Sequence, residues 1–479
     1  MTDIAPTSGF PGVISGPLAR LGRRAQRGAN GHRAPDADFD PPRRRERPPH
    51  HQALRPGARQ ETLRESNLLL ITDEIFSAPQ PLSRADLSIR TGMTRSTVSR
   101  LVDDLLSAGI VREGSPIVGG TRGRPAVPLL PARRTLAGLG VEINVEFMAA
   151  RVLDLTGAVL AEEIIDGDFR SSDPTEVLPR VGEMARRVSR EARGLGSTVV
   201  GTVLALPGLV STAGDHLLLA PNLGWRDLDA ISLMTGAGAA QAPQSADVAQ
   251  NNEIREDFGG FVAVANEAKL AALSIAQELT AVDREEQTFL YVSARLGVGA
   301  AAVVDGVVDA GPRGWAGEIG HITVQPDGPR CGCGAHGCLE VYAGKRALLA
   351  NAGLQPPVSA RTLSEMADQD GDAGAQIRAA LDRAGWALGV ALSGALNVLD
   401  IQDVVLGGEF GPLADHLRPR IETELGERVL AAQWSSFRVR EPGEWEHNAA
   451  PATTGGALRA LRAVVDAPQY WVPQEESAG

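Results

Sequence analysis

Lysine is missing from the first 135 residues of this 479-residue chain, while 21 arginines stand there against 13 acidic residues, a net charge of +8. The rest carries 26 basic against 46 acidic residues, so the overall charge of −12 conceals two ends of opposite sign. Such asymmetry suggests a nucleic-acid-facing end and a separate acidic body. Cysteine is nearly as scarce. Three thiols in so long a chain exclude a disulfide framework and point to a reducing compartment with a metal or redox site. Aromatic residues make up only 4%, which leaves a core of mainly Ala, Val and Leu. The longest apolar stretches have strand length and are broken by Gly or charge, so no membrane-spanning helix fits. Met1–Phe10 has no basic region followed by an apolar run, so a secretory signal is not expected and a cytoplasmic location follows. What is present is ordinary for globular protein, 43% hydrophobic and 22% charged, and the length suits two or three domains.

Residues 1–56 are rich in Pro, Gly and Arg without apolar periodicity and read as a disordered basic tail, its arginines either keeping the segment soluble or adding nonspecific phosphate attraction. Residues 57–132 read as a winged helix-turn-helix. Leu63, Asn67, Leu70, Ile71, Ile75 and Phe76 recur at near-helical spacing, giving a first helix that ends near Ser77 before Pro79 and Pro81. Ser83 is an N-cap with Asp86 three residues on, and Leu87 and Ile89 supply apolar residues to a second helix. Thr91-Gly92 turns the chain, and a third helix runs from about Thr94 to Ala108 with Val98, Leu101, Val102, Leu105 and Leu106 inward. Its amino-terminal end exposes Arg95, Ser96, Thr97, Ser99 and Arg100, short polar and basic side chains of the kind that meet base edges in a major groove. The following Gly/Arg loop offers Arg122 and Arg124 to phosphate or minor groove. The competing reading is a solvated helical hairpin with chance arginines.

Residues 133–479 alternate strands and helices, an α/β body. Strands are expected at Leu136–Ile143, Phe147–Leu155, Val199–Pro207, Phe261–Ala265, Thr288–Ser293, Gly299–Val304 and Val404–Leu406, with helices over Val177–Ala192 and about 453–465. Residues 235–258, poor in large apolar side chains, read as a mobile loop or insertion. No internal repeat is evident.

The sharpest motif is Gly320-His321, then nine residues, then Cys331-Gly332-Cys333, four residues and Cys338. It uses every cysteine. Three thiolates and an imidazole complete a tetrahedral zinc shell with no open position, which makes a structural site. His336 competes with His321 as the nitrogen ligand. A redox pair is disfavoured by the Cys-X-Cys spacing, and three inert buried thiols are the bland alternative.

Gly317-Glu318-Ile319-Gly320-His321 followed by that cysteine loop and Leu339-Glu340 resembles the signature of the ROK family (repressors, open reading frames, sugar kinases). Pro207-Gly208-Leu209-Val210, Asn222-Leu223-Gly224-Trp225, Asn266-Glu267-Ala268 and Val405-Leu406-Gly407-Gly408 also look like that family, in the same order. The resemblance covers about residues 60–465. The winged helix-turn-helix belongs to the family's repressor branch, that of the xylose and N-acetylglucosamine repressors. It implies a two-lobed, actin-like, ribonuclease-H-like domain with its second lobe from about residue 266 and the C-terminal helix returning to the first lobe. It also implies sugar contacts from Asn266, Glu267, Glu318, His321 and Glu340, the histidine binding zinc through one ring nitrogen and facing the sugar with the other.

The kinases of the family carry Asp-X-Gly-Gly-Thr at the first strand turn, where this chain has Glu142-Ile143-Asn144-Val145-Glu146. Close backbone amides around a triphosphate demand glycine, and both are replaced. The second loop, Gly-Thr-Gly in kinases, is Arg295-Leu296-Gly297, and the catalytic Asp position holds Glu267. No catalytic residue is therefore assigned. The expected function is a DNA-binding regulator of carbohydrate metabolism, a repressor with a sugar effector, operator DNA as partner and a homodimer or higher homo-oligomer as its form. The alternatives are a sugar kinase with an accessory DNA-binding domain, and a constitutive DNA-binding protein with a purely structural zinc body.

Overall fold

The computed structural model describes residues 56–116, 126–237, 252–282, 287–295, 297–442 and 450–472. The expected tail, apart from Pro56, and the wing arginines Arg122 and Arg124 lie outside the described residues.

Helix α1 (Pro56–Ser77) buries Leu68, Ile71, Thr72, Ile75 and Phe76, while Leu63 faces solvent. After β1 (Leu82–Ser83), Ser83 and Asp86 form a reciprocal capping box that starts α2 (Arg84–Thr91), and Gly92 ends it at φ 72, a left-handed conformation that glycine adopts at no cost. Leu87 is buried, but Ile89 is 81% exposed and does not join the core as expected. An eight-residue helix turns too few times to hide both, since residues two apart lie on different faces. Thr94 caps α3 (Arg95–Ser107), which buries Val98, Leu101, Val102 and Leu105. Strands β2 (Val111–Glu113) and β3 (Pro128–Pro131) then complete a small antiparallel sheet with β1, in the order β1-β3-β2.

Two five-stranded sheets follow, and their topology is the same. The first holds β4 (Leu136–Ile143), β5 (Phe147–Asp154) and β6 (Val159–Asp166) as an antiparallel meander. After α4 (Pro174–Gly194), β7 (Thr198–Leu206) pairs parallel to β4. A three-stranded flap of β8 (Leu209–Val210), β9 (Leu217–Ala220) and β10 (Trp225–Leu228), then α5 (Ala230–Thr235) and α6 (Asn252–Phe258), lead to β11 (Val262–Asn266), parallel to β7. Helix α6 corrects the last part of the loop expected over 235–258, of which residues 238–251 lie outside the described residues: Ile254 and Phe258 are buried against the first-lobe core, two apolar residues being too few to mark the helix in a polar stretch.

Helix α7 (Glu267–Val282) leads to the second sheet, where β12 (Phe289–Ala294), β13 (Val298–Val304) and β14 (Val307–Asp309) repeat the meander. Helices α8 (Glu340–Ala343), α9 (Lys345–Asn351), α10 (Ala360–Ala367) and α11 (Asp372–Leu399) precede β15 (Asp403–Gly408), parallel to β12. Helix α12 (Ala414–Arg428) then brings in β16 (Arg438–Arg440), parallel to β15. The orders β6-β5-β4-β7-β11 and β14-β13-β12-β15-β16 are one arrangement used twice. The sequence shows no such repeat because side-chain identity has drifted while pairing order has not.

Helix α13 (Pro451–Asp466) returns to the first lobe and lies against β4. The approach is very close: a Cβ on Gly140 would stand 1.7 Å from the Thr453 carbonyl oxygen, so glycine is required there. The C-terminal part of α13 also packs on the DNA-binding region. Leu68, Ile71 and Ile75 share one cluster with Leu153, Val200, Leu458, Leu461 and Val464. The Thr135 hydroxyl also donates to the Gly109 carbonyl at 2.6 Å and the Arg134 amide to Asp154 at 3.1 Å. The helix-turn-helix is therefore built onto the first lobe through a shared core.

Candidate metal centre, cleft and nucleic-acid interface

The cysteine loop folds back on itself through a ladder of backbone bonds, Val324 and Gly337 amides to the Gly337 and Pro329 carbonyls and the Cys331 amide to Ala335, each at 2.8 Å. This brings the ligand atoms of His321, Cys331, Cys333 and Cys338 within 4.8 Å of one another. The Cys333 and Cys338 sulfurs are 3.7 Å apart, and Cys331 Sγ is 3.9 Å from His321 Nδ1. A tetrahedron with metal–sulfur bonds of about 2.3 Å has a sulfur–sulfur edge of about 3.8 Å, so the four residues fit and can hold a metal ion. His336 stands apart with its ring nitrogen 3.3 Å from the Gly328 carbonyl, which decides between the two histidines.

Beside this loop, between the two lobes, lies a cleft of about 520 Å³. All five residues expected to face a sugar line it: Asn266, Glu267, Glu318, His321 and Glu340. Their situations differ. Asn266 ends β11, its amide donating to the Gly208 carbonyl at 2.9 Å and its oxygen accepting from the Ala268 and Lys269 amides. It thus caps α7 and fixes the flap. Glu318 is held above its usual pKa by burial, against the opposing pull of Lys269 and His321. Glu267, first residue of α7, is raised to about 7 by burial and then by Glu142, with Arg295 opposing. One of its carboxylate oxygens is enclosed without a hydrogen-bond partner among the described residues.

Sequence reasoning left Arg226, Asn222 and Arg295 out of the site, yet all three line the cleft. A Cβ on Gly297 would come within 2.6 Å of Glu340 Oε2 and 3.1 Å of Asn222 Nδ2, so Gly297 gives these two groups their room. The signal for Asn222 was in the family-like Asn-Leu-Gly-Trp motif and that for Arg295 in the Arg295-Leu296-Gly297 loop; for Arg226 there was none.

The turn between β4 and β5 is filled from within. Asn144 Oδ1 accepts from the Glu146 and Phe147 amides at 2.9 and 3.1 Å, and its Nδ2 donates to Glu142 at 3.0 Å. Amides that could cradle an anion are thereby spent.

On the DNA-binding region, three arginines are committed to ion pairs. Arg64 pairs with Asp104 at 2.9 Å, Arg84 with Asp103 at 2.7 Å and also with Glu113, and Arg90 with Glu74 at 2.7 Å. Arg95 and Arg100 are exposed on α3 with no ion pair among the described residues. Ser96 is exposed beside them, while Thr97 and Ser99 are half-buried. Thr94, at the cap, bonds to both Ser96 and Thr97.

Residues 75–115 match the IclR helix-turn-helix domain and residues 138–458 match the ROK family. The chain is 26% identical over 386 residues to the xylose repressor of Bacillus subtilis (strain 168), spanning 80% of this chain and 92% of that protein. It is 24% identical over 397 residues to the N-acetylglucosamine repressor of Escherichia coli O157:H7, at 80% and 89% coverage. In structure it resembles a ROK family transcriptional regulator described as a homolog of the E. coli MLC protein, with a TM-score of 0.65 at 24% identity over 85% of this chain and 97% of that one. A ROK family glucokinase from Streptomyces griseus shares the fold of the body, with a TM-score of 0.54 at 21% identity over 68% of this chain and 99% of that one. A helix-turn-helix fused to two lobes of one repeated topology, a Cys3His loop beside the cleft between them, and a match over most of the body lead to one conclusion: this chain belongs to the ROK family.

Proposed function

We propose that the protein is a sugar-responsive transcriptional repressor that binds double-stranded operator DNA as a homodimer in the cytoplasm and has no kinase activity. The observation that carries this reading is a recognition helix with two uncommitted arginines, Arg95 and Arg100, fused to a lobe whose phosphate-side turn spends its own amides on Asn144. Arginine pairs bidentately with guanine, and Ser96, Thr97 and Ser99 suit phosphate and base contacts, with Arg122 and Arg124 of the wing on the backbone. The relatives named for xylose and N-acetylglucosamine support a sugar as effector. Asn266, Glu267, Glu318, His321 and Glu340 are its proposed contacts, since carboxylates accept charge-assisted hydrogen bonds from hydroxyls and disfavour an acidic sugar. Zinc is the proposed ion: three thiolates and one imidazole leave no open position, so the metal stiffens the loop that carries His321 and takes no part in chemistry. The described residues include no helix long and apolar enough to cross a membrane, in keeping with a cytoplasmic DNA-binding role.

Two assays test the reading against a kinase that uses Glu267 as its base. Thermal-shift measurements with D-xylose, N-acetylglucosamine and common hexoses should find a sugar that raises the melting temperature. The same sugars incubated with ATP should yield no sugar phosphate. Turnover on the order of 1 per second or faster would overturn the regulator reading.

A further inference from the structure

Only two of the 47 basic residues in the chain are lysines, Lys269 and Lys345, and Lys345 stands where the lobes meet. Lys345, first residue of α9 in the second lobe, places Nζ 2.6 Å from Glu146 Oε1 in the first-lobe turn and 3.0 Å from Glu409 Oε1 just past β15. The other oxygen of Glu409 accepts the Ala360 amide at 3.1 Å, which fixes that carboxylate to α10. The three side chains are only 18–33% exposed, so the pairs are shielded from bulk water. Burial works to lower the Lys345 pKa, yet the two carboxylates outweigh it and the value rises, so the ammonium stays charged. Close by, Arg295 reaches from the end of β12 across to the first lobe. Its guanidinium lies 4.7 Å above the Phe147 ring and 3.9 Å from Glu142, a carboxylate only 1% exposed. A compact ammonium with three donors can serve two carboxylates that approach from different elements, where a planar guanidinium prefers one partner face-on.

We infer that Lys345 is a cross-lobe tie. It joins Glu146 of the first lobe to Glu409 of the second, supported by Arg295 against Phe147 and Glu142, and so sets the opening of the cleft at this end. Closure around a ligand at the Glu318–Glu340 end then becomes rotation about the tied end. The tie itself is a property of the apo chain, and only its effect on the sugar response rests on the proposed function.

Hydrogen–deuterium exchange on the full chain tests it. Glu146→Gln and Lys345→Met should each speed amide exchange in residues 142–147 and 345–351, on the order of tenfold, while exchange in the helix-turn-helix stays at the parent rate. The double variant should exchange no faster than Lys345→Met alone, because the two side chains form one interaction. Parent-like exchange in Glu146→Gln would show that Lys345 serves only its own lobe through Glu409, and additive effects in the double variant would show two independent contacts; either result overturns the tie. In the operator-binding assay with D-xylose and N-acetylglucosamine, Glu146→Gln should change the sugar-induced shift by about threefold or more, and a shift equal to the parent's overturns the link to regulation. If the parent itself shows no sugar response, the proposed function fails while the exchange result still decides the tie.

Discussion

Replacing Cys333 by serine is the most direct probe of the Cys3His loop. Cys333 is the exposed ligand, whereas Cys331 and Cys338 are buried, so the substitution removes one thiolate without opening a cavity. Losing the ion releases a cross-link between His321 and Cys338, which closes a loop of 18 residues. By chain entropy, closure of a loop that long is worth about 3 kcal/mol in the unfolded state. In a lobe of this size each kcal/mol moves the midpoint by roughly 2–4 °C, so the second-lobe transition should fall by roughly 6–12 °C. The backbone ladder within the loop remains, which keeps the loss below that of a domain folded by zinc alone. Metal analysis should find about one zinc per parent chain and little in Cys333→Ser. Calorimetry should place the loss in the second-lobe transition, with DNA binding retained, because the helix-turn-helix shares its core with the first lobe. No zinc in freshly purified, folded parent would refute the assignment, as would an unshifted midpoint in a variant shown to lack metal.

Arg95→Ala should cost roughly 1–3 kcal/mol of operator affinity and relax preference at one base position, whereas Arg90→Ala, whose parent residue is tied to Glu74, should change affinity far less by fluorescence anisotropy. Unchanged operator binding in an Arg95→Ala/Arg100→Ala double variant would remove α3 from the interface. Glu267 has its pKa raised from 4.5 to about 7, so the folded chain holds a proton that the unfolded chain releases within that window. Stability should therefore fall as pH rises from about 4.5 to 7 and level off above it, and Glu267→Gln should flatten that slope in urea midpoints. Leu461→Ala, in the core shared by α1, α13 and the first lobe, should destabilise by about 2–5 kcal/mol and lower the helix-turn-helix and first-lobe transitions together. Separate melting of the two would contradict a fused unit.

The local signals in the sequence translated well into structure. Ser83 with Asp86 and Gly92 mark α2 because capping and left-handed geometry are properties of a few adjacent residues. The cysteine spacing likewise specifies its own loop, since all four ligands lie within one short segment. Long-range features were not legible. The packing of Leu68 and Ile71 on Leu461 and Val464 joins residues nearly 400 positions apart, and periodicity in α1 cannot say which surface its stripe will meet. Asn144 in the first turn reads only as a missing glycine, although its side chain replaces the anion that the turn's amides would otherwise bind. The pairing of Lys345 with Glu146 spans two lobes and depends on how closely they approach. The Cys3His loop explains why Glu318 and Glu340, which flank it in the chain, stand beside one cleft.

If occupation of this cleft changes the fit of the protein to DNA, operator affinity measured with and without sugar must differ. Because the helix-turn-helix is fused to the first lobe, the proposed signal travels as movement of the second lobe against that unit, and in the proposed homodimer this changes the separation of the two α3 helices. Anisotropy titrations on upstream DNA should show a shift of roughly 5–150-fold when D-xylose, N-acetylglucosamine or another neutral sugar that stabilises the protein is present, the range of typical coupling energies. Glu318→Ala should keep its zinc and its sugar-free DNA affinity and lose the shift. A shift in Glu318→Ala equal to the parent's would place the effector elsewhere, and an operator affinity that no stabilising sugar alters would make the protein a constitutive DNA-binding one.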